Sequence, residues 1–217
     1  MTERYDRLPR TRIWNMIFFE RMALAADLAR IAPEAWETPS LCEGLTVREV
    51  LAHLTAGASL DLRQWMRGVI ECRFDFDAQV HLQLRRHLGA TWEETLEGFD
   101  RVDGSTTKPI PLKALLGETV VHGEDIRRPL GIRHDYAVAT VTALAEYYRR
   151  SNFVVVAGKR AKGLRLEASD GPFAAGAGPL VQGRTIALIM AMTGRDAYCD
   201  ELEGDGVPIL RERCESM

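Results

Sequence analysis

Hydrophobic residues recur at helical spacing through the first 134 residues of the chain. Ile17, Leu24 and Leu28 fall on one face of a helix that we expect to begin near Arg10 and to end before Pro33. Segments of similar texture predict four further helices, at 47–70, 74–89, 91–104 and 111–131. The pattern favours an N-terminal part that is helical throughout.

The pattern changes after His134. Leu164, Leu166 and Ala168 alternate with polar residues, which predicts a strand. The other C-terminal segments predict a helix at 137–161 that runs toward a short β-branched stretch, a second strand or hairpin arm within the Gly-rich 171–183, an amphipathic helix at 184–195 and a short last helix at 205–214. We therefore predict two domains, a helical one at 1–134 and a small α+β one at 135–217.

Composition and charge narrow the class of protein. The chain is 46% hydrophobic and 27% charged, as in ordinary globular proteins. Its net charge is −3 and no basic stripe is evident in the sequence, which argues against nucleic acid as the main partner. No apolar run approaches the roughly 18 residues that span a membrane. The charged N-terminus lacks the apolar core of a secretory signal, and none of the four cysteines forms a C-x-x-C pair. We expect a cytoplasmic monomer or homodimer with reduced thiols.

The helix predicted at 111–131 carries an unusual group of side chains on one edge. At about 100° per residue, Glu118, His122 and Asp125 gather beside the apolar face. Glu118 and His122 are (i, i+4) neighbours, a spacing at which two side chains can bind one metal ion. A surface ion pair between them is the alternative. Asp125 would orient a ligand histidine or handle a proton, unless it only balances the charge of Arg127 or Arg128.

A third candidate ligand lies on an earlier helix. Thr46 and Glu49 form the Thr-x-x-Glu pattern of a capping box, which predicts where this helix begins. His53 follows on the flank of its apolar stripe. If the two helices pack antiparallel in a bundle, His53 can face Glu118 and His122. Two histidines and one glutamate with an open fourth position are typical of a catalytic zinc site.

These residues belong to motifs that resemble a known family. The stretch "PSLCEGLTVREVLAHL" at 39–54 and the stretch "ETVVHGEDIRRPLG" at 118–131 resemble the metal-site signatures of the mycothiol-dependent maleylpyruvate isomerase family, within the DinB-like metalloenzyme superfamily. The segments 162–170 and 178–210 resemble the small C-terminal domain of many members. The resemblance therefore extends over nearly the whole chain.

The resemblance implies both a fold and a chemistry. The fold would be a DinB-like four-helix bundle followed by a small α+β domain. His53, Glu118 and His122 would hold a divalent metal, usually zinc, and the thiol mycothiol would bind the open position through its sulfur and act on a small electrophilic substrate. Arg195 would reach the active site and bind a carboxylate, although a charge at a helix C-terminus is an equal alternative. Isomerase, S-transferase and detoxification roles all fit this arrangement.

Two alternative functions stay open at this point. One is a metal hydrolase that activates a water molecule, with Asp125 as the base. The other is a binding protein that keeps the metal for structure or sensing. For the thiol chemistry we expect the reacting sulfur to come from the added cosubstrate. Cys42 precedes the Thr46 cap by four residues, and His53 lies about 10 Å of helical rise beyond that cap. We therefore expect Cys42 to lie too far from the metal unless its loop folds back.

Overall fold

The chain forms two compact units. The computed structural model describes residues 8–216, without the side chains of Phe76 and Asp77. One unit is Arg10–His134, and the other takes in the chain from Asp135 onward. The domains predicted at 1–134 and 135–217 extend at their outer ends to residues 1–7 and 217, which lie outside the described residues. Independent folding of each unit stays a prediction.

The first unit is helical. Its elements are α1 (Arg10–Leu28), a 3₁₀ turn (Pro33–Glu37), α2 (Val47–Ser59), α3 (Leu62–Glu71), α4 (Phe76–His87), α5 (Trp92–Asp100) and α6 (Leu112–Arg127). Four of the helices, α1, α2, α5 and α6, contribute to one hydrophobic core. Trp36 in the 3₁₀ turn is completely buried in that core and stacks on Trp92, with ring centroids 5.5 Å apart. Helix α4 packs on α2 and on α3.

Two capping boxes define the N-termini of helices α2 and α3. The Thr46 side chain accepts a hydrogen bond from the Glu49 backbone and the Glu49 carboxylate accepts one from Thr46, so the predicted capping box is confirmed. The expectation of one continuous helix over 47–70 is wrong. Asp61 and Gln64 form a second capping box that starts a new helix, because the Asp61 carboxylate accepts the Gln64 backbone N–H.

Helix α6 is more deeply buried than its sequence pattern suggests. Its mixture of apolar and polar positions reads as a half-buried helix, yet Glu124, Asp125 and Arg127 are buried together with the apolar residues. The reason is that α6 packs on both α1 and α2. The Arg127 guanidinium pairs with Asp27 of α1 at 2.8 Å, which lowers the free-energy cost of burying its charge. Polar groups on α6 are therefore held in fixed positions.

The second unit combines helices with a four-stranded sheet. Its elements are α7 (Val138–Tyr148), α8 (Ala157–Ala161), β1 (Arg165–Ala168), β2 (Ala174–Gly176), β3 (Leu180–Gly183), α9 (Thr185–Met192), a 3₁₀ turn (Asp196–Glu201), β4 (Leu202–Glu203) and α10 (Val207–Ser216). The strand order is β2-β1-β3-β4, and β1 pairs parallel with β3, Leu166 lying opposite Val181. The predicted strand at β1, the second strand and the last helix are confirmed.

The expectation that α9 is amphipathic is wrong. All eight residues of Thr185–Met192 are buried. The helix lies between α7 and the sheet, and α10 also packs on it, so no face remains for solvent. A short apolar run cannot by itself distinguish a helix buried on all sides from one buried on a single face.

No helix in the described part of the chain is both long and apolar enough to cross a membrane.

Candidate metal centre

Helix α2 presents His53 at a defined position. The capping box at Thr46 sets the first turn, and Val50 and Leu54 anchor the helix in the core. His53 lies between these anchors in sequence and on their flank, with 26% of its side chain exposed. The same helical period that buries Val50 and Leu54 therefore turns the His53 imidazole toward the edge of the core.

Helix α6 places Glu118 and His122 opposite His53. Glu118 Oε2 lies 3.4 Å from His53 Nε2 and 3.3 Å from His122 Nε2. The two imidazole rings form a T-shaped pair with a centroid distance of 4.9 Å. The carboxylate thus sits between two imidazoles that come from different helices. Residues 65 positions apart in the chain meet here because α2 and α6 pack on each other.

The arrangement fits a divalent metal ion. One ligand atom from each of His53, Glu118 and His122 lies within 4.8 Å of the other two, which is close enough for one ion to contact all three. Two imidazole nitrogens and one carboxylate oxygen are a donor set of catalytic metal sites. The three side chains are only partly buried, so a further molecule has access. Their role as ligands stays a prediction, but the structure brings together the three residues that such a metal site requires.

Asp125 lies behind His122 rather than beside Glu118. Its side chain is fully buried, and its Oδ2 accepts a hydrogen bond from His122 Nδ1 at 2.9 Å. A proton held on Nδ1 leaves the lone pair of Nε2 free on the side of Glu118 and His53. Carboxylates commonly orient ligand histidines in this way. The position of Asp125 supports the predicted orienting role. Because its carboxylate is fully buried, it cannot contact a substrate directly.

Cys42 lies next to the His122 ring because its loop folds back, which is the exception that the expectation allowed. Its Sγ is 3.1 Å from Asp125 Oδ2 and 3.3 Å from His122 Nδ1. The loop before α2 folds back onto α6, where the Leu41 backbone N–H donates to the Asp125 carbonyl at 3.1 Å. Ser40 closes that loop, because its hydroxyl contacts the Leu45 carbonyl at 2.8 Å and accepts the Cys42 N–H. No spacing rule in the sequence reveals this fold-back.

Cys42 meets His122 at the nitrogen that faces away from Glu118. Cys42, His122 and Asp125 form a second group of potential ligand atoms that shares only His122 with the first. The sulfur and the His122 Nδ1 converge on a single carboxylate oxygen. Cys42 therefore belongs to the set of side chains that fix the His122 ring, and it lies on the opposite edge of that ring from the Nε2 nitrogen.

The electrostatics of the pair Glu118 and His122 favour opposite charges. Burial by itself would raise the pKa of the Glu118 carboxyl, but hydrogen bonds with His122 and His53 outweigh it and hold that pKa well below its usual range. Burial would lower the pKa of His122, but hydrogen bonds with Asp125, Cys42 and Glu118 outweigh it and raise that pKa. Because a protonated imidazole cannot bind a metal, protons compete at His122 as the pH falls.

Comparison with known proteins places this unit in a family. Residues 20–127 match the family described as the mycothiol maleylpyruvate isomerase N-terminal domain. The chain belongs to this family. The matched segment contains Cys42, His53, Glu118, His122 and Asp125, so the family signature and the candidate metal centre coincide. The resemblance predicted from the sequence motifs is confirmed.

Solved structures show that the similarity of fold extends beyond the matched domain. The chain resembles two crystal structures of the mycothiol-dependent maleylpyruvate isomerase, one of them of a histidine-to-alanine mutant. Each has a TM-score of 0.63 and 16% sequence identity to this chain, and each alignment covers 94% of this chain and 96% of the chain in the crystal structure. The predicted DinB-like helical bundle with an appended α+β part is thereby confirmed. No curated protein matches this member of the mycothiol maleylpyruvate isomerase family.

Arg195 belongs to the second unit of this family member. It follows Gly194, whose φ of +102° ends helix α9, and its guanidinium donates to the Thr193 carbonyl at 3.0 Å. This contact satisfies a carbonyl at the end of α9, in line with the alternative of a helix C-terminal charge. A role for Arg195 at the active site stays a prediction.

Replacing Asp125 with asparagine tests the orienting role in this family member. We expect the affinity for the metal to fall by about 10–100-fold, as is typical when an outer partner of a ligand histidine is changed. The asparagine keeps the volume of the side chain but removes the charge that holds the proton on His122 Nδ1. Metal affinity is measured by competition with a fluorescent chelator at constant pH.

Asp27 provides the matched control for this change. It is an acid of the same unit whose carboxylate pairs with a buried arginine, Arg127, on α6. Asp27→Asn is expected to lower thermal stability and to leave metal affinity unchanged. Equal losses of affinity in the two variants would mean that Asp125 acts through general stability of α6 and not through the His122 ring.

Proposed function

We propose that the protein is an enzyme that holds a divalent metal, zinc, on His53, Glu118 and His122 and uses mycothiol as a thiol cosubstrate. Its substrate would be a small electrophilic molecule, and its reaction an isomerisation or a transfer of the thiol. The observation that carries the proposal is the convergence of two imidazole nitrogens and one carboxylate oxygen, from two helices, inside the domain that defines the family.

The donor set favours catalysis over a purely structural role. Structural zinc sites are closed by four protein ligands, whereas three protein ligands leave a position for a further molecule. In the described part of the chain the group around Glu118 has three members, and the sulfur of Cys42 faces the other nitrogen of His122. The partial exposure of His53, 26% of its side chain, gives a small thiol a route of approach.

The metal would supply the positive charge that lowers the pKa of a bound thiol, so that a thiol with a pKa near 8.5 is present as thiolate at neutral pH. The residues of the chain have separate tasks. His53, Glu118 and His122 provide the ligand atoms. Asp125 holds the proton at His122 Nδ1, which keeps the Nε2 lone pair directed toward Glu118. The packing of α2 on α6 holds both imidazoles in place before any cosubstrate arrives, which reduces the entropy lost in the reaction.

A thiolate in this position suits both reactions that the family resemblance implies. In each, a carbon–sulfur bond forms between the thiolate and an electrophilic carbon of the substrate. An isomerase would release the thiol again after rotation about the former double bond, and a transferase would keep the thiol in its product. The choice between them depends on the substrate.

A hydrolase receives less support from the structure. Such an enzyme needs a base that can reach the attacking water molecule. Asp125 was the candidate, but its carboxylate is fully buried behind the His122 ring and accepts hydrogen bonds from His122 and Cys42. Asp125 therefore holds a proton on the His122 imidazole and is not exposed as a base to a metal-bound water molecule.

Titration of the cobalt-substituted protein with mycothiol tests the proposal. We expect a saturable change in the visible spectrum and a new sulfur-to-cobalt charge-transfer band, because the thiol would enter the metal's coordination sphere. The S-methylated thiol is the control and should leave the spectrum unchanged. A spectrum that responds only to pH would favour the hydrolase, and a spectrum that responds to neither mycothiol nor pH would favour a binding protein that keeps the metal for structure.

Substitutions of Cys42 separate the added thiol from the protein's own sulfur. Cys42→Ser retains a side chain that can donate to Asp125, so we expect mycothiol-dependent turnover and metal binding to persist. Cys42→Ala removes the donor, and we expect metal affinity to fall by about 2- to 10-fold, the net effect of one typical hydrogen bond. Turnover with a panel of electrophiles and metal affinity are both measured. Loss of turnover in the serine variant with metal and mycothiol still bound would make Cys42 the nucleophile.

A further inference from the structure

Two cysteines that the metal centre does not use meet in the second unit. Cys199 lies in the 3₁₀ turn Asp196–Glu201, and Cys214 lies near the end of α10. Helix α10 packs on this turn, so the two cysteines lie on neighbouring segments, and the Cys214 Sγ lies 3.2 Å from the Ala191 carbonyl oxygen of α9. Both cysteines are reduced. A disulfide needs Cα atoms about 4.4–6.8 Å apart, a separation that two segments in direct packing contact allow.

Polar contacts on both sides of the pair keep the two segments in register. Arg211 lies three residues before Cys214, on the same face of α10, and its Nη2 contacts the Asp200 carboxylate at 2.7 Å. Asp200 is the residue next to Cys199. Arg213, the residue before Cys214, donates to the carbonyl oxygens of Arg160 and Lys162, at 2.6 and 2.8 Å. Helix α10 is therefore fixed against the turn that carries Cys199.

The two thiols differ in acidity and in exposure. The neighbouring Cys214 side chain lowers the pKa of the Cys199 thiol against the opposing effect of burial, and the charge of Arg211 adds to the lowering. Cys199 and burial in turn raise the pKa of Cys214. Cys199 is 1% exposed, whereas Cys214 is only half-buried. A small oxidant has access from the side of Cys214.

We propose that Cys199 and Cys214 are a modification site at which a peroxide forms a reversible disulfide. In the first step one sulfur of the pair, as its thiolate, attacks the peroxide O–O bond, takes one oxygen and becomes a sulfenic acid, while the other oxygen leaves as hydroxide or water. In the second step the neighbouring thiol attacks the sulfenic sulfur. The S–O bond breaks, the S–S bond forms and water leaves. The proposal does not depend on the metal centre.

The disulfide would tie the C-terminal helix to the core of the second unit. It closes the chain segment from Cys199 to Cys214, which contains β4 and most of α10. Closing this loop reduces the conformational freedom of the unfolded chain, so the oxidised unit is expected to unfold at a higher temperature. A reducing thiol would reverse the change by thiol–disulfide exchange.

Peroxide treatment followed by peptide mapping tests the site. The full-length protein is treated with hydrogen peroxide, alkylated without reduction and digested. We expect a linked pair of peptides that contain Cys199 and Cys214 and that separate after dithiothreitol, together with a rise in the unfolding temperature. Cys199→Ser and Cys214→Ser should each abolish the linked pair. Cys72→Ser is the matched control, a half-buried cysteine of the first unit, and should leave it unchanged.

The wild-type map decides the question even if a serine variant does not fold. Recovery of Cys199 and Cys214 as alkylated thiols, under conditions that oxidise another cysteine of the chain, would overturn the proposal. Oxidation of either residue to sulfinic acid without a linked peptide would overturn it as well, because the second thiol would then have failed to reach the first.

Discussion

His53→Ala and His122→Ala proteins are expected to fold and to retain almost no zinc. Each change removes one of three ligand atoms that lie within 4.8 Å of one another. The loss of affinity should exceed the about 10–100-fold that changes to outer partners produce. His53→Ala is the cleaner test, because it leaves the hydrogen bond between His122 and Asp125 in place. Metal content is measured by mass spectrometry after purification without chelators.

His87 supplies the control for the histidine changes. It also lies on a helix of the first unit and is half-buried, and its Nδ1 contacts the Gln83 carbonyl at 2.8 Å. His87→Ala should keep full metal occupancy and mycothiol-dependent turnover. Full occupancy in the His53→Ala protein, with circular dichroism like that of the wild type, would show that the metal is held by other residues.

Trp36→Ala is expected to lower the free energy of unfolding of the first unit by about 3–5 kcal/mol, the usual range for a large aromatic removed from a core. Trp36 is completely buried and is among the largest side chains in the core, which it shares with residues of α1, α2, α5 and α6. Its loss leaves a cavity beside Trp92 and Phe99. Urea unfolding of the metal-free protein, followed by circular dichroism, measures the change.

Two further variants identify the physical origin of that effect. The indole Nε1 of Trp36 has no hydrogen-bond partner among the described residues, so Trp36→Phe should be much less destabilising than Trp36→Ala. Phe19→Ala removes an aromatic side chain that is 64% exposed and should change stability by less than about 0.5 kcal/mol. A Trp36→Phe protein as unstable as Trp36→Ala would show that ring shape, and not buried apolar volume, dominates at this position.

The sequence by itself determined the local placement of the candidate ligands. Glu118 and His122 share a helix edge because four residues make slightly more than one turn, and the structure places them 3.3 Å apart. The capping box at Thr46 fixes the start of α2 and hence the face on which His53 lies. These features depend on hydrogen bonds between residues three or four apart, which the order of side chains specifies directly. The change to an α+β part after His134 was visible because a strand alternates apolar and polar residues with a period of two.

Only the tertiary structure decided what surrounds His122. Cys42 and Asp125 are 83 residues apart, and they meet because the loop before α2 folds back onto α6. Its path depends on backbone contacts between Leu41 and Asp125 that no periodic pattern encodes. The full burial of α9 likewise follows from packing by α7, α10 and the sheet. Helical spacing fixes which face a side chain occupies, whereas the packing of distant segments fixes what that face contacts.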